Sequence, residues 1–328
     1  LVYFCLYKTN KFLYDKKIFK SFYSNNIYVI VVGNLSVGGS GKTPFVKLLS
    51  KHLDKKNLSH CIITRGYKKE LSGEFLINNK NVDDFSPQHI GDEPFMLAKE
   101  LTNTTILIGN KLKNIKSALK KKLGSYAIID DGYQSYEIKK NYNILLIDFS
   151  VSLENYRLLP AGVLREPLSE IKRANLIVFT KTNLCSAKDY NNKKIFFEKY
   201  INFKKQSLIY STIKPLLSVV KNKKIQLVND VASLNKKNYV SFSGIGNPKS
   251  FISLQKKICI FPYKNFVFKD HFKYSKKNLK TLLDFLTKNN INTILTTKKD
   301  YYKISDFFKS FEIYILDIEH ELSEDLKI

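Results

Sequence analysis

The sequence predicts an α/β protein: a doubly wound, mostly parallel sheet, with a second, smaller α/β domain joined to it by a two-stranded linker. Three observations predict it. Short apolar runs rich in β-branched residues recur up to about residue 180, separated by gaps of helical length. A glycine-rich turn lies between the first of these runs and an amphipathic stretch. After about residue 205 the texture changes, and a further series of short strands begins. Strands covered on both faces read as continuous apolar runs, and their alternation with helices means a parallel sheet between helical layers.

The first series is Tyr28–Val32, Cys61–Thr64, Thr105–Ile108, Tyr126–Ile129, Ile144–Ile147 and Leu176–Phe179, with helical spacing over Pro44–His52 and Glu93–Leu101. Ser207–Thr212 and Lys224–Val228 read as two short strands of a linking ribbon. Tyr239–Phe242, Asn265–Phe268, Thr293–Leu295 and Glu312–Leu316 form the second series, with a helix over Lys276–Lys288. The division expected is an N-terminal segment 1–23, a domain 24–205, and a linker with the smaller domain over 206–328.

The 328 residues carry a formal net charge of +26, from 55 Lys+Arg against 29 Asp+Glu. That excess suits nucleic acid, an anionic membrane or an anionic substrate, and does not choose among them. Only Arg65, Arg157, Arg165 and Arg173 are arginines. In so lysine-rich a chain the retained arginines are informative, because Lys cannot replace a planar bidentate fork. The cysteines (Cys5, Cys61, Cys185, Cys259) form no CxxC pair, so buried reduced thiols are expected and metal ligation is not. No apolar run is long enough to span a bilayer. Residues 1–23 mix Phe, Tyr and Leu with lysines, which suits either a helix lying in a membrane interface or one packed on the domain.

Gly33–Pro44 (GNLSVGGSGKTP) follows an apolar strand and opens an amphipathic helix, the setting a phosphate-binding P-loop needs. In it the main-chain amides of Val37, Gly38, Gly39, Ser40 and Gly41 would wrap a phosphate chain, aided by the helix N-terminus. Lys42 would reach the β- and γ-phosphates, and the Thr43 hydroxyl would ligate Mg²⁺. The usual first glycine of the loop is Ser36 here. Downstream, Tyr126–Ile129 delivers Asp130 and Asp131, adjacent carboxylates that are costly without a cation. A P-loop NTPase-like domain follows.

Other polar residues have fewer structural reasons to be where they are. Asp92, in GDEP (Gly91–Pro94), reads either as a helix N-cap or as the carboxylate that orients an acceptor hydroxyl and takes its proton. Arg165 and Glu166 lie in a loop, Leu158–Leu168, and suit charge stabilisation near phosphates. His271 follows a strand of the second series. Thr297–Asp300 (TKKD) fits a guanine-reading pattern, which makes a P-loop GTPase switch the alternative, although no DxxG switch begins at Asp130.

In this order, VGNLSVGGSGKTP (32–44), RGY (65–67), GDEP (91–94), DDGYQ (130–134), LLPAGVLREPL (158–168), FSGIGNP (242–248), Asp270-His271 and TTKKD (296–300) resemble the tetraacyldisaccharide 4'-kinase family of lipid A biosynthesis. Ser36 in the loop is itself a trait of that family. The resemblance covers residues 1 to about 303. It implies transfer of the ATP γ-phosphate, with Mg²⁺, to the 4'-hydroxyl of a tetraacylated glucosamine disaccharide 1-phosphate, the lipid A precursor. It also implies a monotopic protein on the cytoplasmic face of a Gram-negative inner membrane, with residues 1–23 interfacial. No nucleic acid or obligate protein partner is expected. Carried over, Lys42 and Thr43 serve the phosphates and Mg²⁺, while Asp130 and Asp131 serve the metal region. Arg165 and Glu166 flank the transferring group and metal. Asp92 resembles the catalytic base, with His271 as its partner across the cleft. The chain departs from the family pattern at Ser135, where His is usual, at Phe272 after His271, and at Lys298, where an acidic residue is usual.

Overall fold

The computed structural model describes residues 2–222 and 224–327; Leu1, within the predicted interface segment, lies outside them. Thirteen strands form among the described residues: β1 (Tyr28–Asn34), β2 (His60–Thr64), β3 (Phe75–Ile77), β4 (Thr105–Ile108), β5 (Tyr126–Asp130), β6 (Tyr142–Asp148), β7 (Leu176–Thr180), β8 (Ser207–Lys221), β9 (Lys224–Leu227), β10 (Tyr239–Ser243), β11 (Lys264–Val267), β12 (Thr293–Thr296) and β13 (Glu312–Leu322). The helices are α1 (Val2–Asp15), α2 (Lys42–Lys55), α3 (Pro87–Ile90), α4 (Asp92–Glu100), α5 (Lys111–Lys120), α6 (Ala187–Glu198), α7 (Ala232–Asn235), α8 (Pro248–Lys257), α9 (Lys276–Lys288) and α10 (Lys298–Ile304).

The strands join in one sheet, ordered β11-β10-β12-β13-β8-β7-β6-β1-β5-β2-β4-β3, with β9 paired to β8. Pairing is parallel except at β3–β4, β8–β13 and β8–β9. Strand order reverses beside β1, which lies between β5 and β6, and ligands of open α/β sheets bind at the carboxyl ends of the strands at such a point. Successive β1 residues serve opposite faces, as the two-residue period of a strand demands. Ile30 and Val32 pack with Phe45, Val46, Leu49 and Leu53 of α2, whereas Val29 and Val31 pack with Ile115 and Ala118 of α5. Each such buried aliphatic side chain contributes roughly 1.5–3 kcal/mol.

The first series of expected strands is present, but β3 escaped notice because three residues carry no period. The ribbon differs more. A single 15-residue strand, β8, runs through Pro215 and pairs with β7 at one end and with β13 along Ser211–Val219. Proline ordinarily ends a strand by removing a ladder donor. Pro215 is tolerated because it lies between the β7-paired and β9-paired stretches, where β8 has a strand partner, β13, on one side only. The cysteines differ too: Cys61 is buried, but Cys5 and Cys259 are exposed, and all four are free.

Candidate active site

The P-loop spans the carboxyl end of β1 and the start of α2. Gly41 caps α2 at φ +83°, a conformation that favours glycine. The stretch that carries Arg165 lies directly on the loop: Val37 N–H donates to the Val163 carbonyl at 2.7 Å, and Arg165 N–H to the Leu35 carbonyl at 2.6 Å. This docking aims Arg165 across the site, where its two terminal nitrogens grip Asp131 at 3.0 and 2.8 Å and one also reaches the Asn34 side chain. Lys42 Nζ lies 3.2 Å from Asn34 Oδ1 and 3.5 Å from Asp131 Oδ1. Lys111, which the sequence reading missed, donates to the Asp131 carbonyl and lies 3.4 Å from Ser135 Oγ. Ser135, one of the departures from the family pattern, is thus packed beside a lysine.

The two adjacent aspartates diverge electrostatically. Burial pushes the Asp131 carboxyl up, but Arg165, Lys42 and Lys111 together bring it well below the usual carboxylate range. Asp130 is almost fully buried, and burial, with the Glu93 carboxylate next in effect, raises it to about 7. Its Oδ2 accepts from Thr64 at 3.4 Å, and its Oδ1 has no partner among the described residues. The buried Ser40 hydroxyl in the loop is likewise unpartnered.

Asp92 is brought to this end of the sheet by the start of α4. The helix cap is Gly91, at φ +99°, so Asp92 is the first helical residue and not the cap. Space is tight at Gly91 as well: a Cβ there would come 3.3 Å from the Cα of Gly66, because the GDEP and RGY turns pack backbone to backbone. Asp92 Oδ2 lies 2.9 Å from His271 Nδ1 and 2.6 Å from Lys303 Nζ. Burial raises the Asp92 pKa, but the His271 hydrogen bond and the Lys303 charge outweigh it, and the net direction is down. His271 stands edge-on to the Tyr67 ring, at 5.4 Å. Its neighbour Phe272 packs at a tilt on Phe268 and edge-on to Tyr274, which anchors the turn.

Helix α10 accounts for much of this geometry. Lys303 meets Asp92, Lys299 meets Glu93 at 2.5 Å, and Lys298 meets Glu100 at 3.2 Å and Asp317 at 2.7 Å. The lysine at 298, where the family pattern has an acid, therefore has two carboxylates facing it. The Glu93 pKa is raised by burial and lowered, with a net fall, by Lys299, His271 and the Thr43 hydroxyl, which places the start of α4 against the P-loop threonine. Lys303 lies in no motif, and Glu93, the second acid of GDEP, was given no role; Lys303 finds Asp92 and Glu93 finds Lys299 only when α4 and α10 pack.

Glu166 is engaged by neighbouring side chains. Its side chain is fully buried, and its oxygens accept from Gln134 at 3.0 Å and from Tyr136 and Arg173 at 2.5 Å. Gln134 also donates to the Asn34 carbonyl at 2.9 Å, so its amide links Glu166 to the end of β1. The TKKD carboxylate is engaged as well: Asp300 is fully buried and accepts from the Gly244 N–H at 2.8 Å, from Thr297 at 2.7 Å and from Tyr274 at 3.0 Å. Fully buried and held by these three donors, it is not presented to a guanine, and the switch reading loses its support.

A family model described as tetraacyldisaccharide-1-P 4'-kinase matches residues 1–327. The chain is similar to a tetraacyldisaccharide 4'-kinase of Aquifex aeolicus, 32% identical over 316 residues, covering 96% of this chain and 90% of that one. It is similar to another from Wigglesworthia glossinidia brevipalpis, 31% identical over 309 residues, covering 94% and 76%. The crystal structure of LpxK from Aquifex aeolicus in complex with ATP superposes with a TM-score of 0.77 at 30% identity, covering 98% of this chain and 92% of that one.

Proposed function

The chain belongs to the tetraacyldisaccharide 4'-kinase family, an ATP-binding kinase of lipid A biosynthesis, and from that premise we propose how its residues perform the transfer. The P-loop amides 37–41 and Lys42 hold the β- and γ-phosphates. Arg165, held in register by Asp131, neutralises charge that builds on the transferring group. Asp92 accepts the proton of the 4'-hydroxyl, and His271 orients it. The observation that carries this reading is the arrival of Asp92 and His271, 179 positions apart, within 2.9 Å of each other at the end of the sheet where the P-loop opens.

The residues present fit Mg²⁺. Asp130 has a buried, unpartnered oxygen and a raised pKa, which is what a carboxylate awaiting a cation displays. Thr43 lies in the first turn of α2, next to Lys42, whose charge acts on Asp130. Mg²⁺ bound with a nucleotide takes one or two protein oxygens and fills the rest from phosphate and water, which agrees with the lack of any three-residue acidic or His/Cys cluster among the described residues. Thr43 and Asp130 would hold the ion, with Asp131 keeping Lys42 and Arg165 in place. Its chemistry when bound is to offset charge on the β- and γ-phosphates. Glu166, engaged as it is, serves by fixing the loop beneath Arg165.

Residues 1–23 are proposed to rest on the cytoplasmic face of the inner membrane. Helix α1 docks through Lys11 on Glu170 and Tyr14 on Tyr136; Leu6 and Phe12 on it, and Ile18 and Phe19 just beyond its end, are exposed beside lysines. No helix among the described residues is long and apolar enough to cross a membrane. The division at about residue 205 into a P-loop domain and a smaller C-terminal one is also a proposal, supported by the separate apolar clusters around β10, β12 and β13. The test of the catalytic reading is a transfer assay with labelled ATP and the disaccharide 1-phosphate lipid. Lys42→Ala and His271→Ala are expected to lose turnover at least a hundredfold. Wild-type rates in either would overturn the role given to it.

A further inference from the structure

We infer that His320 is a positioning residue for ATP, holding the Gly41 carbonyl from β13 and thereby fixing the P-loop; the inference rests on the reading of that loop as the phosphate site. Loop amides face a phosphate only if the loop carbonyls find partners in the protein. Three successive carbonyls do. Lys181 Nζ reaches Gly39 O at 2.7 Å, Thr180 Oγ1 reaches Ser40 O at 3.3 Å, and His320 Nε2 reaches Gly41 O at 3.0 Å. Lys181 is itself paired with Asp148. Two of these donors stand at the end of β7, next to the β6–β1 region. The third comes from 279 positions away, on a strand of the C-terminal series.

The contact is a built one. Gly41 O already accepts the Phe45 N–H at 3.1 Å, the first bond of α2, so His320 takes its second lone pair. The other ring nitrogen lies 2.7 Å from Ser211 Oγ on β8. The ring meets Phe45 edge-on at 5.8 Å, and a Cβ on residue 41 would come within 2.7 Å of Nε2. The imidazole therefore fills the space behind a glycine held at positive φ. Burial lowers the His320 pKa and keeps the ring neutral. A neutral ring has one donor and one acceptor, and here Nε2–H donates to the carbonyl while Nδ1 accepts from Ser211.

The test is steady-state kinetics on the full chain, with ATP and the lipid acceptor varied separately. His320→Leu removes the donor, and His320→Gln restores an amide N–H near the Nε2 position. Expected is a rise in KM for ATP of about three- to tenfold in His320→Leu, the range that one neutral hydrogen bond carries, with KM for the lipid unchanged. His320→Gln should return KM for ATP to within about twofold of wild type. An unchanged KM for ATP in His320→Leu, an equal rise in both variants, or a parallel rise in KM for the lipid overturns the inference. Should His320→Leu fail to fold, Ser211→Ala, which frees the ring from its other partner, is expected to raise KM for ATP alone, and no rise there counts equally against it. If Lys42→Ala leaves KM for ATP and turnover untouched, it is the reading of the loop that fails; a damaging Lys42→Ala with an inert His320→Leu sinks this inference alone.

Discussion

Asp92→Asn separates two jobs that one carboxylate performs. The substitution keeps the shape and removes the charge, leaving the Lys303 ammonium, whose side chain is 2% exposed, facing a neutral amide where a carboxylate oxygen stood at 2.6 Å. At an effective dielectric of about 20, unit charges that close attract by about 6 kcal/mol. Desolvation offsets most of that in the intact pair, so the measurable loss is the cost of an uncompensated buried charge, about 3–5 kcal/mol. Against a total stability of about 5–15 kcal/mol, urea unfolding at neutral pH should register it without ambiguity. The transfer assay should fall by about 10²–10⁴, the share of a general base. Adding Lys303→Met removes the stranded charge, and the double variant is expected to regain most of the stability and none of the turnover. The acid side follows from the same contacts. Because Asp92 is depressed in the folded state, its contribution is complete above the unfolded value near 3.9 and is lost as pH falls through the lower folded value. Asp92→Asn should lack that part of the acid lability. Wild-type turnover in Asp92→Asn refutes the base assignment, and a double variant no more stable than the single one refutes the electrostatic account.

Three further outcomes are expected. Arg165→Lys should cost about 10²–10³ in turnover, because an ammonium cannot reproduce the two-pronged grip on Asp131 at 3.0 and 2.8 Å; steady-state kinetics with saturating ATP would show it. Asp130→Asn should stabilise the nucleotide-free protein at pH 8.5 relative to wild type, and by about half as much at pH 5.5. A carboxyl raised to about 7 in the fold contributes fully below its unfolded value and loses that contribution as pH rises through 7; urea titrations at the two pH values, with chelator present, check the sign. Leu6→Glu with Phe12→Glu, both residues exposed on α1, should weaken sedimentation with anionic vesicles severalfold while turnover on detergent-dispersed substrate holds.

What the sequence by itself determined were the features written in local order. The apolar runs of β1, β2, β4, β5, β6 and β7 announce buried parallel strands because each is covered on both faces. The P-loop is legible because its glycines, Lys42 and Thr43 act within one strand-to-helix turn. The motifs were specific enough to identify the family from the same residues. Tertiary structure decided everything that depends on which distant surfaces meet. It added Lys303 to the Asp92–His271 pair that the family resemblance implied, turned Glu166 toward Arg173, satisfied Asp300 internally, and carried His320 from β13 to the back of the P-loop. Local order reports how a residue's own segment folds, through periods and caps. A lone Lys, His or Glu has no period, so its partner is known only when two elements have packed and burial has made an unpaired charge too costly to leave.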